Sequence, residues 1–71
     1  MDRLTGRERQ CLALVAAGET NEEIARDLCL GEQTVKTHLN HVYARLGLED
    51  VGNPRVVAAI MWAKEGQEEG Q

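Results

Sequence analysis

Seventy-one residues with a formal net charge of -4 and a pI near 5.0 bound this protein to one domain with a single modest core. Hydrophobic residues make up 42%, but with no Phe, one Trp and one Tyr the core must be built from Leu, Val, Ile and Ala, which favours packed helices. No apolar run is long enough to cross a membrane, and no charged-then-apolar leader precedes a small-residue cleavage site, so a cytoplasmic location is expected.

The stretch "LTGRERQCLALVAAG" opens with Thr5 and, three residues on, Glu8. That spacing is a reciprocal capping box, in which each side chain satisfies a backbone N–H that the first helical turn leaves unpaired. A helix should start there, with Leu4 packing just ahead of it and Cys11, Leu12, Leu14 and Val15 forming its apolar side. Gly18 should end it, because glycine takes the left-handed conformation at no steric cost. "ETNEEIARDL" repeats the device with Thr20 and Glu23, and Ile24, Ala25 and Leu28 give this short second helix one apolar stripe.

"CLG" at 29–31 is a tight turn, and a third helix of about 31–46 follows. Val35, Leu39, Val42 and Leu46 recur at intervals of four, three and four, so they face the core. Gln33, Thr37, Asn40 and Ala44 fall on the opposite side, with Lys36 and His41 on the flanks, and Gly47 closes the helix. Asn53 and Pro54 then supply a cap and a first-turn proline for a fourth helix. Its run "VVAAIMWA" is apolar on nearly every side, more than a surface helix of so small a domain requires, so one face should seek a partner. Residues 65–71 read as an acidic, frayed tail beyond a domain of residues 1–64.

Catalysis and metal binding find no support in this pattern. Cys11 and Cys29 lie in apolar segments at a spacing that suits neither a disulfide framework nor a redox pair, and they read as buried thiols. Adding His38 and His41 makes four potential zinc ligands, but H-x-x-H is tighter than finger spacing and the cysteines are not locally paired. No nucleophile with its base and no phosphate loop is present, so neither enzyme activity nor a cofactor is expected.

Two helices joined by a short turn, the second long and amphipathic, make the corner that seats a helix in the DNA major groove. By itself that pattern fits many small bundles. The residues add more: "LTGRERQCLALVAAGETNEEIARDL" followed by "TVKTHLNHVYARLGL" resembles the LuxR-type helix-turn-helix domain of bacterial response regulators and quorum sensors. The likeness spans about residues 4 to 48 and resumes in the fourth helix, and "LTGRER", "NEEIA" and "TVKTH" are its most specific pieces.

The resemblance implies an all-α, four-helix bundle whose third helix reads double-stranded DNA and whose fourth dimerises. By carry-over, Lys36, Thr37 and Asn40 match base-reading positions, while Thr34, Thr20 and Asn21 match backbone contacts. Lys36 can donate to guanine, Asn40 can pair with adenine, and the Thr37 methyl suits a thymine methyl. Gln33, His41 and Arg45 can also donate to phosphate, although Thr20 and Asn21 can serve simply as caps and Arg45 can pair with a nearby acid. On the fourth helix, Val57, Met61 and Trp62 are the candidate homodimer residues.

Three departures from the family pattern stand out. Cys29 occupies a position where the family often has Gly, Gly31 one where it often has Ser, and the connection to the fourth helix is longer than usual. Met1 just ahead of the domain leads us to expect no receiver domain before it.

Charge is unevenly distributed along the chain. Residues 1–64 hold all 8 bases against 9 of the 12 acids, a net of -1, and Glu65, Glu68 and Glu69 carry the remaining -3. A near-neutral body allows only a few phosphate contacts, so useful affinity would come from two copies on two half-sites. The acidity, with Glu22 near the DNA side, also leaves open an interaction module of the same fold that binds RNA polymerase or another regulator.

Overall fold

The computed structural model describes residues 3–69, and these are all-helical: α1 (Gly6–Ala16), α2 (Asn21–Leu28), α3 (Glu32–Arg45) and α4 (Pro54–Glu69). Both capping boxes form. The Glu8 N–H donates to Thr5 Oγ1 at 3.2 Å while the Thr5 N–H donates to Glu8 Oε1 at 3.0 Å, and Thr20 and Glu23 repeat the exchange at 3.2 and 2.8 Å. Each box converts two unpaired donors into hydrogen bonds where a helix is hardest to start. Gly31 caps α3 without a side-chain hydrogen bond.

The first three helices end in the same way. Glu19 N–H reaches Leu14 O at 3.1 Å and Gly18 N–H reaches Val15 O at 2.9 Å; Leu48 to Tyr43 and Gly47 to Ala44 repeat the pattern at 2.8 and 3.1 Å. Such a double bond needs one left-handed residue, supplied by Gly18 at φ +93° and Gly47 at φ +73°. After α2 the same bonds run from Leu30 to Ala25 at 2.8 Å and from Cys29 to Arg26 at 3.4 Å, but the left-handed residue is Cys29, at φ +58°. That geometry turns the Cys29 side chain into solvent. The expectation of two buried thiols therefore holds for Cys11 alone.

Leu12, Ile24, Val35 and Val42 are wholly enclosed and join Cys11, Leu39 and Ala58 in the core. Full burial of a Leu, Ile or Val side chain is worth about 1.5–3 kcal/mol, so α3, with three such residues on one stripe, is held firmly against α1 and α2. Its opposite face is thereby left in solvent. α4 lies chiefly against α1, and its small Ala58 is fully buried in the core.

Two features of α4 bear on the expectations for it. It continues to Glu69 instead of fraying after Lys64, in keeping with the good helix propensity of Glu and Gln; residues 70 and 71 of the expected tail lie outside the described residues. Val57, Met61 and Trp62 are half-buried against the domain's own core, whereas Val56 and Ile60, each 50% exposed, occupy the outer face. Among the described residues, no helix is long and apolar enough to cross a membrane.

Candidate nucleic-acid interface

Packing of the Val35, Leu39 and Val42 stripe dictates which α3 side chains remain available. Gln33, Thr34, Lys36, Thr37 and Asn40 are all exposed, and His38 is half-buried beside the stripe. The Thr37 hydroxyl donates to Gln33 O at 3.0 Å, which commits its hydrogen to the helix and leaves the methyl, with the hydroxyl oxygen as an acceptor only, for contact. Lys36, Thr37 and Asn40 thus present an ammonium, a methyl and a carboxamide, three groups that can each distinguish a base edge in the major groove.

The rear flank of the same helix is tied inward. Arg45 Nε lies 3.0 Å from Glu8 Oε1 and His41 Nδ1 lies 3.8 Å from Glu8 Oε2, with the Glu8 side chain only 4% exposed. A buried carboxylate needs such partners, because desolvation penalises an unpaired charge. Glu8 therefore has two functions, closing the α1 cap and anchoring α3. His41 and Arg45, both read from sequence as candidate phosphate donors, are placed on α1's acid, although each keeps part of its surface exposed.

At the start of α2, Thr20 Oγ1 accepts the Glu23 N–H in the capping box. Asn21 is held from outside its own helix, since its Oδ1 accepts a 2.7 Å hydrogen bond from Arg55 Nη1 of α4. Arg55 Nη2 donates to Glu19 O, also at 2.7 Å. Tyr43 of α3 adjoins the same guanidinium: burial pushes its phenol above the ordinary value, and Arg55 pulls in the opposite direction. A cleft of about 300 Å³ beside it is lined by Asn40, Tyr43, Leu48, Glu49 and Pro54. The structure thus brings the start of α2, the first turn of α4 and the Asn40 side of α3 together.

Two members of this arrangement escape sequence reasoning. Glu8 is recognisable as a capping residue, and the four-residue spacing of His41 and Arg45 on one flank of α3 is the only hint of its second role. Arg55 has no local signal, because its side-chain partner lies 34 residues away.

A short turn joining α2 to a long α3 with one polar face exposed is the helix-turn-helix arrangement that the DNA-binding domains of transcription regulators use. The model of a family described as bacterial regulatory proteins, luxR family, matches residues 2–62, and the chain belongs to that family. It is 43% identical over 58 residues to the HTH-type transcriptional regulator YhjB of Escherichia coli, an alignment covering 82% of this chain and 27% of that protein. The transcriptional regulatory protein LiaR of Bacillus subtilis is 41% identical over 49 residues, covering 69% of this chain and 23% of its own. An HTH-type regulator of Mycobacterium bovis is 51% identical over 45 residues, which is 63% of this chain and only 5% of that protein. The chain therefore spans about a quarter or less of these relatives. No solved structure matches it significantly.

Proposed function

We propose that this domain is a sequence-specific reader of double-stranded DNA in the cytoplasm, with α3 seated in the major groove. The observation that carries this reading is the exposure of Lys36, Thr37 and Asn40 together on the face of α3 opposite its buried stripe. Lys36 donates to guanine, Asn40 pairs with adenine and the Thr37 methyl packs on thymine. Thr20 and Asn21 with the α2 N-terminus, and Gln33 and Thr34 at the start of α3, hold the backbone, aided by the helix dipoles. His41 and Arg45 contribute only what their ties to Glu8 leave free.

Dimerisation through α4 completes the proposal. The outward residues Val56 and Ile60 supply the apolar contact, with Val57, Met61 and Trp62 supporting that face from beneath. Two copies on half-sites a helical turn apart would compensate for the few contacts each helix makes. The same exposed pair also suits a second reading, in which α4 docks on RNA polymerase or another regulator.

Selection from a pool of random duplexes, followed by binding across a salt series, tests DNA reading. Enrichment of one sequence, weakened by Lys36→Ala, is expected. An unenriched pool, with residual binding equal for Lys36→Ala and the parent, refutes it and leaves the interaction module as the better reading.

A further inference from the structure

Among the polar contacts described, those made by Arg55 join three separate elements at the edge of the proposed DNA surface. Its two outer nitrogens hold Asn21 Oδ1 and Glu19 O, each at 2.7 Å, and its charge lies beside Tyr43. Arginine has only donors, so the Asn21 atom that faces it must be the carbonyl oxygen. The Asn21 NH2 group is thereby directed to the other side of the amide, where it can donate. Without that partner the amide has two comparable orientations, and only one of them offers hydrogens to an approaching phosphate.

We propose that Arg55 is a positioning residue for DNA binding: from the first turn of α4 it orients the Asn21 amide and holds the start of α2 in place through Glu19 O. The cleft lined by Asn40, Tyr43 and Pro54 continues that path to a base-reading position. The arrangement depends on the planar guanidinium, whose fork reaches two acceptors at once; a lysine ammonium is a point charge without that fixed fork. This role rests on the proposed DNA reading and adds to it a residue outside the helix-turn-helix itself.

The test uses the full chain and a duplex that the parent enriches from a random pool. Dissociation constants are measured across a salt series for Arg55→Ala, Arg55→Gln, Arg55→Lys, Asn21→Ala and the Arg55→Ala/Asn21→Ala double variant, with thermal unfolding to confirm that each is folded. Arg55→Ala should weaken binding about tenfold, the scale of one good contact, and leave the salt slope unchanged. Lysine should fail to restore affinity, and in the Asn21→Ala background the loss of Arg55 should have little further effect.

Three results overturn the proposal: parental affinity in folded Arg55→Ala or Arg55→Gln, equal losses in both Asn21 backgrounds, or a salt slope lowered by about 0.9 with rescue by lysine, which would make Arg55 a direct phosphate contact. A parent that enriches no duplex overturns the DNA reading itself, and this role with it.

Discussion

Arg45 Nε sits 3.0 Å from a carboxylate oxygen of Glu8, and the two residues differ sharply in exposure: the Arg45 side chain is 43% exposed, that of Glu8 only 4%. Their removal should therefore have unequal costs. Glu8→Gln keeps a capping side chain at the third helical position and leaves behind an arginine that water can solvate, so it should cost about 1–2 kcal/mol. Arg45→Met strands most of a buried negative charge and should cost roughly 2–4 kcal/mol. Urea unfolding at neutral pH ranks the two, and equal losses would show that the pair is not governed by burial.

Salt dependence should be shallow for a DNA-binding domain. Arg45 is partly neutralised by Glu8, which leaves Lys36 as the one lysine or arginine of α3 without an acid partner among the described contacts. Each neutralised phosphate contributes a log-log slope of about 0.9, so a few contacts per copy are expected. Asn40→Ala should relax discrimination at one base pair by about 1–3 kcal/mol without altering the slope, as a fluorescence-anisotropy titration against single-site operator variants would reveal.

Cys29 carries a side chain in the left-handed region where Gly18 and Gly47 serve the other two helices. Replacing it with glycine relieves a steric cost of about 1–2 kcal/mol, offset in part by the greater freedom of an unfolded glycine. Cys29→Gly should stabilise the domain by about 0.5–1 kcal/mol and raise its melting temperature by roughly 3–6 °C. The unsubstituted protein should react rapidly with a thiol reagent at Cys29 and slowly at Cys11, which is fully buried. A lower melting temperature in the glycine variant would contradict the strain argument.

Alkaline pH should unfold the domain early. Burial raises the Cys11 thiol above its ordinary 9.0 and the Tyr43 phenol above its ordinary 10.0, so both groups hold their protons more tightly folded than unfolded. Their contribution is fully present below those ordinary values and is lost as pH rises through them toward the folded-state values. Thermal unfolding from pH 8 to 11 should therefore show a decline beginning near pH 9, made shallower by Tyr43→Phe.

If α4 pairs two copies, its outer face must be responsible. Ile60→Glu places a charge on the exposed apolar strip and should leave the fold intact, since Ile60 is half in solvent. Sedimentation should then show a monomer at concentrations where the parent dimerises. Affinity for a two-half-site duplex should fall by about 10²-fold or more, while binding to one half-site stays unchanged.

Much of the fold is legible because its signals are local. Thr5 with Glu8, Thr20 with Glu23, and Gly18 and Gly47 each mark a helix end through bonds between near neighbours in sequence, and the α3 stripe is set by a repeat of three and four. The polar face of α3 follows from that stripe without any tertiary information. Long-range partnerships are a different matter. Nothing around Arg55 announces Asn21, and nothing in "VVAAIMWA" tells which side α1 will cover, because a helix apolar all round has no preferred face until the other helices pack against it. Only the packed structure shows Val57, Met61 and Trp62 half-buried against the core and Val56 and Ile60 exposed.

Arg55 and Val56 are consecutive residues, one engaged with the start of α2 and the other exposed to solvent. A mutational path that rotated α4 to present a new outer face would drag Arg55 off Asn21, so the surface offered to partners and the seat of α2 cannot drift independently. Variation in this helix should therefore accumulate at the outer positions themselves, one side chain at a time, with the helix axis held in place by its first turn.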